Sequence, residues 1–296
     1  MKILSKTKGN AEEYGRWSVN PYIGCSNGCT YCYLKSGPSG KYLGQDKPVL
    51  KKGIIDDEHA FYLAMAEIFE NGEQIRKDGG VFMSFVTDPM LKECQRLSYL
   101  IAAECVKYEI PVTFLTKCAG ICIDSAIIKE YSNLVNLDNT LVAYGFTLTG
   151  HDELEPNAHD NRARIATMRA LRRVTDFHVW ASIEPIIDFP SSFRMIQQAL
   201  DAGCEHFKIG LLTKNTKVCR DKYDVSECLS FIQDVMVATK DKATVYWKQS
   251  VRDFLGGTPT HRRFSDKELH KILDDYFHAV SKNWSIFTQS NLHTED

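Results

Sequence analysis

The chain predicts an α/β protein built on a parallel sheet, and three observations carry that expectation. Short apolar, β-branched runs alternate with helical patterns about every thirty residues, the rhythm of repeated βα units. Polar residues gather where the predicted strands end, at Thr87-Asp88, Thr116-Lys117, Thr147 and Thr149, Glu184 and Lys248. A βα barrel, complete or partial, places its site at those ends. The rival architecture is an open doubly wound sheet. No strand here is followed by G-x-G-x-x-G, which weakens the dinucleotide-binding version of that rival.

The elements follow in order. A first strand is expected through Trp17–Tyr22, and a Gly-, Ser-, Lys- and Pro-rich stretch from Lys35 to Gly53 reads as a long functional loop. Further strands are expected at Val81–Val86, Val112–Thr116, Leu141–Leu148, His178–Ile183, His206–Leu211 and Thr244–Trp247, each rich in β-branched or aromatic residues. Between them lie helical patterns at Glu58–Phe69, Lys92–Lys107, Ser125–Tyr131, Asn161–Arg173, Phe193–Ala202 and Ser226–Thr239. In the second of these, Cys94, Leu97, Ile101 and Cys105 recur at helical spacing and read as one buried stripe. Arg162, Arg164, Arg169, Arg172 and Arg173 crowd the fourth; Arg162, Arg169 and Arg173 share one side of a helix wheel, which reads as a solvated outer face rather than a nucleic-acid patch. The capping-box pattern Ser265-Asp266-Lys267-Glu268 opens a last helix running to about Val280, packed on the outside of the barrel. The expected organisation is an N-terminal extension over residues 1–16, a barrel over 17–250 and a C-terminal helical extension over 251–296.

Composition bounds the function. With 296 residues, 44% hydrophobic and 25% charged, the chain has the profile of an ordinary globular protein, which excludes disorder, collagen and a small disulfide scaffold. Lysine and arginine number 36 against 38 acids, a net charge of −2, which argues against non-specific coating of nucleic acid. The opening Met1-Lys2-Ile3-Leu4 turns polar at once, and no apolar run approaches the ~20 residues of a membrane span, so the chain reads as cytoplasmic. In that compartment its ten cysteines are buried thiols or metal ligands rather than crosslinks.

Three of them stand together in Asn20-Pro21-Tyr22-Ile23-Gly24-Cys25-Ser26-Asn27-Gly28-Cys29-Thr30-Tyr31-Cys32-Tyr33. The C-x3-C-x2-C spacing of Cys25, Cys29 and Cys32 brings soft thiolates close together, the donors that select zinc or an iron–sulfur cluster. Zinc sites recruit four protein ligands, commonly as two separated pairs, whereas this loop offers three cysteines and the first histidine is His59. Three thiolates on a 4Fe–4S cluster leave one iron open to a small molecule. Gly24 and Gly28 let the backbone fold round such a group, and Tyr31 and Tyr33 can shield it.

This stretch resembles the hallmark loop of the radical S-adenosylmethionine (SAM) superfamily, which follows the first strand of a partial (βα)6 barrel. The resemblance implies that Cys25, Cys29 and Cys32 hold a 4Fe–4S cluster and that SAM chelates the free iron. It also implies that an electron from a flavodoxin- or ferredoxin-like donor cleaves SAM to methionine and a 5′-deoxyadenosyl radical, which abstracts hydrogen from a substrate in a lyase- or oxidoreductase-type reaction. Asn20-Pro21-Tyr22, Thr87-Asp88-Pro89, Thr116-Lys117 and Ser182-Ile183-Glu184-Pro185 look like the spore photoproduct lyase-like branch, often labelled DNA repair photolyases. With the late Tyr246-Trp247-Lys248-Gln249 the chain is also similar to a phage-associated radical-SAM family, and the likeness covers roughly Trp17 to Gln249. The implied fold is the partial (βα)6 barrel with an extra late strand and a C-terminal helix. Nucleic acid or a nucleotide is the substrate this branch implies, with a peptide, a protein or a small metabolite as the alternative. A cluster-bearing binding or sensing protein is a further reading from another class.

The same resemblance assigns roles at the strand ends. Tyr33 lies beside the adenine, Thr87 and Asp88 take the amino or carboxylate group of SAM, and Lys117 pairs with its carboxylate. Thr147 and Thr149 can reach the ribose, and Glu184, a charge among apolar residues, reads as a ligand or substrate contact. The lyases proper carry a hydrogen-donating cysteine just before the Thr/Ser-Asp; Phe85 and Val86 stand there in this chain, so thymine-dimer repair is not implied. Cys118, one residue past Lys117, is the candidate hydrogen donor instead, and Cys122 shares its loop.

Overall fold

The computed structural model describes residues 2–35, 38–121, 124–137, 139–212 and 223–256. In chain order the strands are β1 (Leu4–Lys6), β2 (Trp17–Val19), β3 (Tyr22–Ile23), β4 (Val49–Leu50), β5 (Val81–Met83), β6 (Val112–Thr116), β7 (Val142–Thr147), β8 (His178–Ile186), β9 (His206–Leu211) and β10 (Thr244–Trp247). The helices are α1 (Gly40–Leu43), α2 (Asp57–Glu70), α3 (Gly72–Lys77), α4 (Lys92–Lys107), α5 (Ser125–Val135), α6 (Asn161–Val174), α7 (Phe189–Asp201), α8 (Val225–Thr239) and α9 (Gln249–Gly256). Cys122, Cys219 and the expected helix Ser265–Val280 lie outside the described residues. Among those described, no helix is long and apolar enough to cross a membrane.

Strand order decides between the two architectures. The main sheet runs β1-β2-β5-β6-β7-β8-β9-β10, antiparallel only between β1 and β2. A doubly wound sheet reverses its order at a switch point, whereas here each parallel strand lies beside the next one in sequence. The result is a partial (βα)6 barrel with β10 as the extra late strand. β1 and β10 form its two edges.

Period-two patterning gives the sheet two unlike faces. The outer face carries Phe114, Phe146, Ile183, Phe207, Ile209 and Val245, all fully buried in the main core under the helices. Its neighbours at the alternate positions are mostly polar, small or aromatic: Trp180, Ser182 and Glu184 on β8, His206, Lys208 and Gly210 on β9, Thr244 and Tyr246 on β10, then Lys248. The register sets Thr147, Ser182, Lys208 and Tyr246 side by side. Barrels of this class usually fill their interior with branched apolar residues; a polar concave face marks a lining for ligands.

Helix starts follow from local chemistry. Aspartates Asp56, Asp124, Asp160, Asp188 and Asp224 cap α2, α5, α6, α7 and α8, each side chain accepting from backbone N–H groups of the first turn. The sequence places one strand through Trp17–Tyr22; the structure breaks it into β2 and β3. Pro21 cannot donate to a ladder, and the buried Asn20 turns to the next strand end instead, its Oδ1 accepting from Ser84 Oγ at 2.8 Å and Phe85 N at 2.9 Å. The loop from Lys35 to Gly53 contains α1 and β4, the latter pairing antiparallel with β3.

Candidate functional site

The cysteine loop leaves β3 at the C-terminal end of the sheet. Gly24 (φ +85°) makes the first turn, where a Cβ would stand 2.4 Å from the Lys47 carbonyl oxygen; Gly28 (φ +71°) makes the second, where one would meet Asn157 Nδ2 at 2.9 Å. Both positions demand glycine, for conformation and for space. The turned loop brings Cys25, Cys29 and Cys32 to a single cleft of about 250 Å³, closed on its other side by Leu34, Lys35, Leu43, Gly44 and Gln45. None of the three is in a disulfide. Burial pushes the Cys25 thiol up to about 12 and raises Cys29, against the pull of Lys117. Such thiols stay protonated at neutral pH until a metal displaces the proton. Among the described residues no three His, Cys, Asp or Glu side chains converge on one point as ligands of a single ion would.

Asp88 ties this loop to the barrel. It is buried and accepts four hydrogen bonds: Asn27 Nδ2 at 2.8 Å, Lys117 N at 2.8 Å, Thr116 Oγ1 at 2.6 Å and Met90 N at 3.0 Å. A carboxylate has about four lone-pair sites, so its acceptor capacity is used within the protein. Its bond to Asn27, between Cys25 and Cys29, holds the loop against the ends of β5 and β6. Asn27 Oδ1, by contrast, is buried and accepts no hydrogen bond. Thr87 faces α4, with its hydroxyl 3.9 Å from Cys94 Sγ.

A second anchor was not expected from the sequence. Arg164, one of the five arginines that crowd α6, is fully buried, while Arg162, Arg169 and Arg173 are exposed as expected. Its guanidinium donates to the carbonyls of Lys117 (3.1 Å) and Thr147 (2.9 Å) and to Glu155 Oε2 (2.5 Å). Glu155 Oε1 accepts from the hydroxyl of Tyr31, and Lys117 Nζ lies 3.9 Å away, above the Tyr31 ring at 5.6 Å. Burial works against the Lys117 charge, but Cys29 and Glu155 outweigh it and hold its pKa above the ordinary value. One fork thus joins the ends of β6 and β7 to the residue preceding Cys32. The readable signal was Glu155, an acid in a turn; its partner was hidden among similar arginines.

The remaining expected residues divide. Tyr33 is 58% exposed, and its hydroxyl donates to the Phe85 carbonyl, which lays the ring across the loop. Thr147 and Thr149 are buried, and Thr149 is held by Asn161 Oδ1 on its N–H and by His151 N on its hydroxyl. Cys118 sits in the main core, 6% exposed; burial, with the Asp88 charge adding, drives its thiol far above the ordinary range. Glu184 faces the concave side and accepts from Lys248 Nζ at 2.6 Å and from the hydroxyl of Tyr14, which also meets Ser182 Oγ at 2.9 Å. Lys248, expected at a strand end, joins this cluster; Tyr14 and Lys208 complete it and were missed, although Trp-x-Ser-x-Glu, His-x-Lys-x-Gly and Thr-x-Tyr-x-Lys already show alternating polar residues on three strands.

Fold and site together define an α/β protein of the partial (βα)6 barrel class with a three-cysteine loop at the C-terminal end of its sheet. Solved structures that it resembles include those of SuiB from Streptococcus suis. SuiB bound to S-adenosylmethionine matches with a TM-score of 0.52 at 13% identity, over 78% of this chain and 49% of that one. SuiB alone matches at 0.54 and 12%, over 85% and 54%. SuiB bound to its precursor peptide SuiA matches at 0.55 and 11%, over 86% and 53%. The chain therefore spans about half the length of the structures it matches. No family model matches the chain, nor does any curated protein.

Proposed function

We propose that the chain is a radical SAM enzyme. The observation that carries this reading is the placement of three free cysteines, spaced C-x3-C-x2-C, in one cleft at the C-terminal end of a barrel-ordered parallel sheet. The donor set fits a 4Fe–4S cluster: three soft, free thiols line one cleft, and Asn27, between two of them, keeps a buried acceptor unused. When bound, the cluster supplies an electron to SAM, and the resulting 5′-deoxyadenosyl radical abstracts hydrogen from the substrate.

The chain's own residues then hold and orient. Asp88 positions the loop rather than reaching SAM itself, since its oxygens are occupied. Lys117, whose charge Cys29 and Glu155 favour, takes the SAM carboxylate. Tyr33 covers the outer side of the cleft, beside the adenine, and Thr147, Thr149 and Glu184 line the path toward the ribose and the substrate. A flavodoxin- or ferredoxin-like protein delivers the electron on the exposed side, near Tyr33. The motifs around Asn20, Thr87 and Ser182-Ile183-Glu184-Pro185 support a place near the spore photoproduct lyase-like branch, without that branch's donor cysteine. For the substrate we favour a peptide over nucleic acid. SuiB was solved with a precursor peptide, and the exposed arginines of α6 lie on the outside of the barrel.

The test is anaerobic reconstitution with iron and sulfide, then an assay for 5′-deoxyadenosine in the presence of SAM and a reductant. Charge-transfer absorption together with 5′-deoxyadenosine is expected; a colourless, zinc-bearing protein overturns the reading. Lys117→Ala should keep the cluster and weaken SAM binding ten- to a hundredfold, as expected for about 1.5–3 kcal/mol lost with a charge-assisted hydrogen bond. Unchanged SAM affinity by calorimetry would remove Lys117 from the site. Cys118, set in the core, is assigned to packing, so Cys118→Ala should leave both 5′-deoxyadenosine and product yields intact. Loss of product with continued SAM cleavage would restore it as hydrogen donor.

A further inference from the structure

The concave face holds a second group of buried charges, on β8, β9 and just after β10 rather than at the ends of β5 and β6 that the cysteine loop touches. Lys208 and Lys248, on β9 and just after β10, are 2% and 4% exposed. The Lys208 ammonium lies 5.0 Å from the Tyr14 ring centre, 5.6 Å from Trp180 and 5.9 Å from Tyr246; that of Lys248 lies 4.2 Å from Tyr14. Buried cations require counter-charge and acceptors. Glu184 supplies part of it from the sheet itself.

The rest comes from elsewhere in the chain. The hairpin loop between β1 and β2 enters the concave face and presents two consecutive residues, Glu13 and Tyr14. Lys208 Nζ donates to the Glu13 main-chain carbonyl at 2.5 Å. The Glu13 carboxylate lies 3.4 Å from Lys248 Nζ and accepts from Gln249 N at 2.6 Å and Tyr246 hydroxyl at 3.4 Å. Tyr14 packs its ring against Phe82, Phe85 and Trp180 at 5.5, 6.1 and 6.2 Å. The pair itself is well contacted, but the turn that carries it is not. Glu13 Oε2 accepts no hydrogen bond in a buried position, and the 3-10 turn leading to it, Gly9–Glu13, buries none of its residues. A segment with so little burial opens locally at small cost.

We propose that the concave face of β8–β10 is a recognition subsite for a peptide bearing an acidic residue followed by an aromatic one, and that Glu13-Tyr14 occupies it until such a substrate takes their place. The proposal deepens the enzyme reading above and rests on it for the word substrate. A nucleotide would also bring an anion and a ring to two lysines and an aromatic wall. The contact that favours a peptide is the one from Lys208 to a main-chain carbonyl, an acceptor that lies one residue's backbone away from both the carboxylate and the ring.

The probe is the acetylated, amidated heptapeptide Asn-Ala-Glu-Glu-Tyr-Gly-Arg, the chain's own residues 10–16. It is titrated by calorimetry into the full-length protein without cluster or SAM, so the result is independent of the 5′-deoxyadenosine assay. Glu13→Gln, which removes the resident carboxylate, should bind the heptapeptide about tenfold or more tightly than the unaltered chain does. Changing the probe's second glutamate to glutamine should cost about tenfold or more, and Lys248→Gln should erase that preference. Equal affinity for both probes, tighter binding of an eight-nucleotide thymidylate, or no saturable binding at millimolar probe each overturns the proposal. Should Glu13→Gln fail to fold, the glutamate-over-glutamine preference of the unaltered chain, and its loss in Lys248→Gln, decide the matter alone.

Discussion

Replacing Cys25, Cys29 and Cys32 together with alanine is expected to abolish iron binding, charge-transfer absorption and 5′-deoxyadenosine formation while leaving the fold in place. The three sulfurs line a cleft rather than the main core; Cys29 belongs to a small satellite cluster with Tyr31 and Leu212. Three thiol-to-methyl changes there remove the soft donors and little packing. The loop keeps its anchors, because Asp88 holds Asn27 and Glu155 holds Tyr31 through groups that the substitutions leave alone. Iron content after anaerobic reconstitution, read beside a circular dichroism spectrum, checks both halves of the expectation. A triple variant that retained a full cluster would show that the ligands lie elsewhere.

The largest expected effect on stability belongs to Arg164→Ala. Truncation leaves the Glu155 carboxylate in the interior with the Tyr31 hydroxyl and a lysine at 3.9 Å, and strips a donor from the carbonyls of Lys117 and Thr147. Breaking a buried ion pair by removing one partner costs about 3–5 kcal/mol, a large fraction of the ~5–15 kcal/mol that holds a domain folded. Urea denaturation should show the unfolding free energy falling by that amount. Arg164→Met combined with Glu155→Leu, which removes both charges and keeps volume, should recover most of the loss yet still loosen the cysteine loop, because Tyr31 has no acceptor left. The two variants therefore separate the pair's contribution to folding from its contribution to the site. A loss below about 1 kcal/mol in Arg164→Ala would mean that the pair is solvated in solution.

The strand and helix pattern was legible because it is local. Val112–Thr116, His206–Leu211, Thr244–Trp247 and Lys92–Lys107 occupy the spans their side-chain periods indicate, since period two and period 3.6 are printed residue by residue. The buried stripe Cys94, Leu97, Ile101 and Cys105 is fully buried for the same reason. The cysteine loop was legible because its donors fall within eight residues, Cys25 to Cys32. Elements that depend on distant partners were not. β1 forms only because β2 offers it an edge, and β3 exists only as the partner of β4, across a loop of more than twenty residues.

Composition, spacing and period by themselves determined that this protein is a βα-repeat chain with a three-thiol loop after its first parallel strand. Tertiary structure alone decided which charges belong to the site. Arg164 and Arg162 are two positions apart and so face opposite sides of one helix; the period puts Arg164 on the inner side, but only the fold supplies the Glu155 carboxylate and two strand-end carbonyls that let its charge be buried. Tyr14 lies 170 residues from Glu184 and Glu13 lies 236 from Gln249, yet they meet on the concave face. A pairing between charges so far apart depends on the path of the whole backbone, and a sequence records that path only through the packing it produces.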